Sequence, residues 1–334
     1  MKISGLAIFA ISMLSLIVGC NSQRSYRLCQ GSTWGTTFHI TYESDIQLDD
    51  SIISIMKMVD MSLSPFCDSS TVSLINSNQS VQTDSLFRQV FYTAQEISKK
   101  SEGAFDPTLS PIINMWGFGY RNTSLIPTKE MIDSALQFVG IDQCSISQNG
   151  HIIKKHTNTE FNFSAIAKGY GCDLIANMLK RNHCNNFLIE IGGEIAVSGV
   201  NRQGKTWNIM IDAPVNNDSS VSHSNLAIIE TSDCGIATSG NYRNFKHKGD
   251  SIIGHTIDRH SGMPSQTQTL SVTIISSSAM RADAFATACM AMNPQEALLM
   301  IKKEPDTEAL FVIADTTQSR HWEIITTQGF PSRL

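Results

Sequence analysis

The chain of 334 residues is 41% apolar and 16% charged, which supports one large domain or two closely packed ones and excludes a disordered chain. With 25 basic and 30 acidic residues the formal charge is −5, and no long basic run occurs, so the electrostatic footprint of a nucleic-acid binder is missing. A ligand that carries phosphates would here need a metal, helix ends or a few local bases.

The first segment is a leader. An apolar run from Leu6 to Val18 follows Lys2 and is shorter than the ~20 residues a bilayer-spanning helix needs, so residues 1–19 read as an export signal. The run ends Leu16-Ile17-Val18-Gly19-Cys20, which resembles the lipobox of bacterial lipoproteins. That resemblance implies that Cys20 is acylated, becomes the first residue of the mature protein, and anchors it on the periplasmic side of a bacterial membrane. An ordinary secretory signal with an incidental cysteine is the alternative. Residues 20–30 then form a polar tether and residues 31–334 the domain itself. Of the 8 cysteines, those after Cys20 are odd in number and contain no C-x-x-C, so no disulfide framework is expected. Cys172, Cys234 and Cys289 lie in apolar stretches and read as small core hydrophobes.

Helical periodicity predicts helices over Leu48–Asp60 and Asp84–Lys100, and a third from Thr128 as N-cap to Gly140 as its stop. Two more are expected after Lys168 and after Met280, and Pro294 opens another. Strand patterns occupy Thr37–Tyr42, Phe187–Ile191, Ile195–Val200, Trp207–Asp212, Leu226–Thr231, Leu270–Ser276, Ala309–Ala314 and Glu323–Thr327. From 187 to 276 strands follow one another without a helix between them. That order predicts an α+β fold with mainly antiparallel sheets and packed helices, not a doubly wound parallel sheet. No G-x-G-x-x-G follows a strand and no P-loop exists, so a nucleotide site must be built some other way.

Six segments are too rich in Gly, Asp, Thr and His to be plain connections. They are Trp34-Gly35-Thr36-Thr37; Gly103 to Thr108 with Asn114 to Gly119; Phe161 to Tyr170; Gly192-Gly193-Glu194; Thr238 to Arg243 with His255 to Asp258 and Gly262-Met263-Pro264; and Ala282 to Ala288. Taken alone, Gly192-Gly193 is equally a turn, and Asp283 could simply cap a helix. Asp283 and Thr287, however, are four apart and share one helix face, where a carboxylate and a hydroxyl suit a hard cation such as Mg²⁺. His255 beside Asp258 reads either as an ordinary polar pair or as a base with its orienting group. Lys168 near a helix start reads as a solvated charge or a phosphate partner.

Together the strings GAFDPT, NMWGFG, AIAKGY, IATSGNYR, HTID with SGMP, and ADAFATA resemble the ApbE-type FAD:protein FMN transferases, from Trp34 to about Met292. The resemblance implies Mg²⁺ held by Asp283, Thr287 and the main-chain carbonyl of Ala165. It implies FAD as substrate, lined by Trp34, Phe66, Ala104, Phe105, Asp106, Asn162, Lys168 and Ile257, and a catalytic role for His255 beside Asp283. The implied reaction carries FMN from FAD to a Thr or Ser hydroxyl of an exported acceptor flavoprotein, releasing AMP. Water as the nucleophile would instead give an FAD pyrophosphatase, and a flavin-binding lipoprotein without turnover is a third possibility. This chain departs from the family pattern at Trp34, where Met is usual, at Asn162, where Asp is usual, and at Arg259-His260, where Pro often stands.

Overall fold

The computed structural model describes residues 25–121, 126–214, 225–240, 245–248, 251–254, 256–315 and 322–333. Among them the strands are β1 (Tyr26–Thr33), β2 (Thr36–Glu43), β3 (Cys144–Ile146), β4 (Ile152–Lys154), β5 (Phe187–Ile191), β6 (Glu194–Ser198), β7 (Trp207–Asp212) and β8 (Asn225–Thr231). They continue with β9 (Cys234–Gly240), β10 (Phe245–Lys248), β11 (Ser251–Gly254), β12 (Thr269–Ser276), β13 (Glu308–Ala314), β14 (Trp322–Thr326) and β15 (Ser332–Arg333). The helices are α1 (Asp49–Leu63), α2 (Thr71–Asn76), α3 (Ser85–Lys100), α4 (Ser110–Met115), α5 (Lys129–Leu136), α6 (Ala167–Arg181), α7 (Ala279–Ala291) and α8 (Pro294–Ile301).

The main sheet has eight strands in the order β1-β2-β5-β6-β9-β12-β13-β14, and a three-stranded sheet has the order β15-β8-β7. Every pair in both is antiparallel, as the strand order in the sequence predicts. Strand alternation sends neighbouring side chains to opposite faces, which makes the molecule three layers. On β13, Leu310 and Val312 meet Ile209 and Ile229 of the small sheet, with Ile236 and Ile275. The alternate residues Phe311 and Ile313 face the helices, packing with Val59, Phe87, Phe91 and Phe285. Toward the β2 end, Ile40 and Ile189 pack on Ile52 and Met56 of α1 and on Ile175 and Leu179 of α6.

Three capping residues set the helices. Asp84 caps α3 through the N–H of Phe87 (2.8 Å), and its carboxylate also takes the hydroxyls of Ser62 (2.8 Å) and Thr71 (2.7 Å). Thr128 caps α5 as predicted, accepting from the N–H of Met131 at 3.3 Å, although the helix ends at Leu136, before Gly140. Asp173 of α6 accepts from the N–H groups of Ala279 (2.8 Å) and Met280 (2.9 Å) and from the Ser278 hydroxyl (2.9 Å). A side chain of one helix thus fixes the start of another. Two glycines let α7 come this close: a Cβ on Gly169 would lie 2.2 Å from the Ala279 carbonyl oxygen, and one on Gly235 of β9 would lie 2.1 Å from the Ala279 nitrogen.

Two sequence expectations change. The stretch read as a tether is strand from Tyr26 onward: β1 pairs with β2 over its whole length, and Tyr26 and Cys29 are buried. Its inward residues are three apart, and Leu28 between them is exposed, so the period of two that marks a strand is absent. β9, inside the fifth segment, and the short helices α2 and α4 were also not anticipated. The leader and Cys20 lie outside the described residues. All seven cysteines after Cys20 are free thiols, with Cys29, Cys144, Cys172, Cys184 and Cys289 buried.

Candidate active site

Five of the six segments converge on one cavity of about 380 Å³ between the main sheet, the start of α6 and one face of α7. Of the residues singled out by sequence, Phe66, Ala104, Phe105, Asp106 and Asn162 line it on one side. Ala165, Lys168, Ile257, Asp283 and Thr287 line it as well, so the predicted cation residues and the predicted flavin residues share a wall. A second lobe of about 430 Å³ shares Phe66, Ser164 and Lys168 and is lined by Trp34, Leu63 and Pro65. His255 lies outside the described residues.

Trp34 reaches the second lobe through a turn. With Gly35 it forms the two-residue loop between β1 and β2, at φ 50° and 73°, the backbone shape that matches the twist of a hairpin. The indole then lies so close to α6 that a Cβ on Gly171 would be 2.4 Å from Trp34 Cη2. Phe66, just past α1, is 72% exposed and forms the mouth shared by the two lobes.

The first departure at a predicted polar position has a simple structural reading. Asn162 Oδ1 accepts from the backbone N–H (2.9 Å) and hydroxyl (2.6 Å) of Ser164, a local turn that an aspartate carboxylate would make equally well. The turn is kept and one negative charge is lost. Asp106 lines the cavity as expected and also holds the loop together. Its Oδ1 accepts from the N–H (2.9 Å) and hydroxyl (2.6 Å) of Thr108, and its Oδ2 from the N–H of Ile141 (3.3 Å) and Nε of Arg259 (3.3 Å). Its carboxylate thus ties the loop to Ile141 and Arg259. Arg259, the other departure, also reaches Asp142 at 3.3 Å and packs over Gly103.

The floor of the cavity is electrostatically unusual. Asp283 is 2% exposed, accepts from the N–H of Gly169 at 3.1 Å, and stands 4.0 Å from Lys168 Nζ. Lys168 Nζ lies 3.1 Å from Oε1 of Glu194, while Oε2 of Glu194 is buried with no hydrogen-bond partner. Burial pushes the Glu194 carboxyl above its usual range, opposed by Lys168 and aided by Asp283. Burial likewise raises Asp283, against Lys168 and the Gly169 N–H. Burial acts to lower Lys168, but Asp283 and Glu194 outweigh it and hold the ammonium above its usual range. Sequence reading flagged the Gly192-Gly193-Glu194 segment but gave Glu194 no role. Its only local signal is the pair of positive-φ glycines (63° and 98°) that turn β5 into β6 and set Glu194 at the head of the strand.

These residues fit a divalent cation. Two buried carboxyl groups face one ammonium, and a buried carboxylate oxygen is unmet, which is costly unless a further positive charge or donor arrives. Asp283 and the partly buried Thr287 are one turn apart on α7, both lining the cavity. Among the described residues no group of three or more His, Cys, Asp or Glu side chains could hold a metal by itself. A cation here would thus depend on hydroxyl, main-chain and substrate oxygens, the mixed set that Mg²⁺ accepts.

A family model described as the ApbE family matches residues 34–311. The chain belongs to the ApbE family. Among its relatives, a Haemophilus influenzae protein named FAD:protein FMN transferase is 31% identical over 311 residues, 89% of each chain. A Vibrio cholerae protein of the same name is 32% identical over 299 residues, 86% of this chain and 88% of that one. The solved structure of the flavin transferase ApbE from Vibrio cholerae superposes with a TM-score of 0.80 at 29% identity, covering 92% of this chain and 98% of that one. The apo flavinyl transferase ApbE of Pseudomonas stutzeri gives 0.80 at 28% identity, covering 92% and 96%. The ApbE resemblance carried by the motifs and the α+β antiparallel architecture are both borne out.

Proposed function

We propose that this chain is an Mg²⁺-dependent FAD:protein FMN transferase that moves FMN from FAD to a Thr or Ser hydroxyl of an exported acceptor protein and releases AMP. The observation that carries this reading is the floor of the cavity, where Asp283 and Glu194 share Lys168 beside Thr287, under walls built from the family's motifs. The names of the relatives support the reaction class.

Asp283, Thr287 and the carbonyl of Ala165 would hold the cation. Bound there, Mg²⁺ neutralises pyrophosphate oxygens and makes the phosphorus more electrophilic. Lys168 offsets further phosphate charge from the start of α6. Phe66, Phe105, Ile257 and Trp34 supply apolar walls that hold aromatic rings and exclude water. In the transfer, the acceptor oxygen bonds to the FMN-side phosphorus while the bond to the AMP oxygen breaks. The hydroxyl proton leaves as that bond forms, and His255 is assigned as its acceptor, a role worth ~10²–10⁴-fold.

The test is direct. Purified protein with FAD, Mg²⁺ and a candidate acceptor should add the mass of FMN minus water to the acceptor, with one AMP per event. AMP release with no mass gain would make the enzyme a pyrophosphatase instead, and no AMP at all would leave a flavin-binding protein. We also assign Cys20 as a lipid anchor that holds the enzyme at the periplasmic face. Cys20→Ser should move activity to the soluble fraction, and a variant that survives a carbonate wash on the membrane would remove the anchor.

A further inference from the structure

Glu194 has no part in the proposed reaction, yet it is a fully built feature of the site. The Gly192-Gly193 turn and the pairing of Ile191 with Glu194 fix its backbone, and Gly193 donates its N–H to Glu190 at 2.7 Å. Lys168 is the movable member of the pair, a long flexible side chain near the start of α6. Its Nζ lies 3.1 Å from Glu194 and 4.0 Å from Asp283, and it is 3.4 Å from the Ser164 carbonyl. The ammonium therefore rests on the carboxylate that the cation reading does not use.

We propose that Glu194 is a positioning residue that parks Lys168 away from Asp283, keeping the Asp283 carboxylate available to a divalent cation. The physical reason is competition. An ammonium settled on Asp283 occupies an oxygen the cation needs and repels it across the shared carboxylate. With Glu194 present, the lysine has a nearer anionic partner and stays within reach of substrate phosphates. The unmet Oε2 leaves that partner able to take a second N–H of the ammonium, which has three donors. The inference rests on the cation reading of the site.

The test is Mg²⁺ binding by calorimetry on the full domain, both without FAD and with FAD bound, for wild type, Glu194→Gln, Lys168→Gln and the double variant. Circular dichroism melts check folding, and Glu194→Asp replaces Glu194→Gln if the latter does not fold. Glu194→Gln should weaken Mg²⁺ binding by roughly 10–100-fold, the usual effect of losing a residue that orients a metal ligand. Lys168→Gln should bind at least as tightly as wild type. In the Lys168→Gln background the Glu194 substitution should have no further effect, because there is no lysine left to park. Glu194→Asp, which keeps the carboxylate, should bind Mg²⁺ with an affinity between those of wild type and Glu194→Gln, and a loss larger than that of Glu194→Gln would count against the proposal. An equal loss in both backgrounds means that Glu194 acts on the cation itself and overturns the proposal, as does wild-type affinity in Glu194→Gln. Wild-type protein that binds Mg²⁺ and transfers FMN without this coupling sinks only this inference. Wild-type protein that binds no Mg²⁺ sinks the cation reading with it.

Discussion

Gly169→Ala probes the contact that assembles the site. The added Cβ would lie 2.2 Å from the Ala279 carbonyl oxygen, 2.6 Å from its carbon and 2.9 Å from Asp283 Cβ. Two of these are backbone atoms of α7, so α6 and α7 must part by roughly 1 Å to restore ordinary contact. Forcing such a methyl into packed structure costs about 1–3 kcal/mol, offset by the ~1 kcal/mol by which Ala is the better helix former. A net loss of up to about 2 kcal/mol lowers the melting temperature by several degrees, at ~2–4 °C per kcal/mol in chains of this size class. Activity should suffer far more. The same shift moves Lys168 and the Gly169 N–H relative to Asp283, and a displacement of ~1 Å in a reacting site can cost about 10²-fold. Thermal melts and FMN transfer on the same preparation separate the two effects. A variant that melts with wild type and transfers at the wild-type rate would show that this helix contact does not set the site.

Asp283→Ala should abolish transfer at millimolar Mg²⁺ while Thr287→Ala keeps part of it, because a neutral hydroxyl gives a hard cation less than a carboxylate does; an equal loss in steady-state rates would reverse that ranking. Arg259→Ala removes the guanidinium beside the fully buried Asp106 carboxylate and should raise the KM for FAD more than it lowers kcat, with partial rescue by Lys; unchanged KM would free Arg259 from any role at the loop. Asp84→Ala should cost about 1–2 kcal/mol in denaturant melts, through the lost cap of α3. Burial acts to raise Asp84, but the Phe87 N–H and the Thr71 and Ser62 hydroxyls win and hold it below 3.8. Its stabilisation is therefore present above pH 3.8 and lost as pH falls through the depressed folded value, so the gap between wild type and Asp84→Ala should close in acid. A gap that widens in acid would contradict this sign.

Much of the architecture was legible because it is local. The helices α3, α6, α7 and α8 and strands β5 and β7 carry their own periodicity, caps or turn residues, and sequence reading placed them within a residue or two. The failures share a cause. β1 lies at a sheet edge, where one face needs little apolar burial, so its residues carry no alternation. Asp106 lines the cavity as its motif suggested, but what holds its carboxylate was not legible. Its carboxylate is fixed by Ile141 and Arg259, groups remote in sequence that only the fold brings near. The converse holds for Glu194. A glutamate after two glycines has no distinguishing local signal, and its importance comes from Lys168 across a helix and a strand. Asp283 and Thr287 were legible because one helix face carries both.

The free thiols give the protein an internal gauge of its own openings. Burial pushes Cys29 up to about 11 and Cys144 up to about 12, and it raises Cys172 and Cys289 as well. A thiol that is both buried and protonated reacts slowly with alkylating or oxidising agents. Cys67 lies in the loop beyond α1 next to Phe66 and is only partly covered. Reagent consumed at Cys67 therefore reports the mouth of the cavity, whereas consumption at Cys172 or Cys289 reports partial opening of the helical layer itself. Most of the described thiols are thus shielded by burial rather than by pairing.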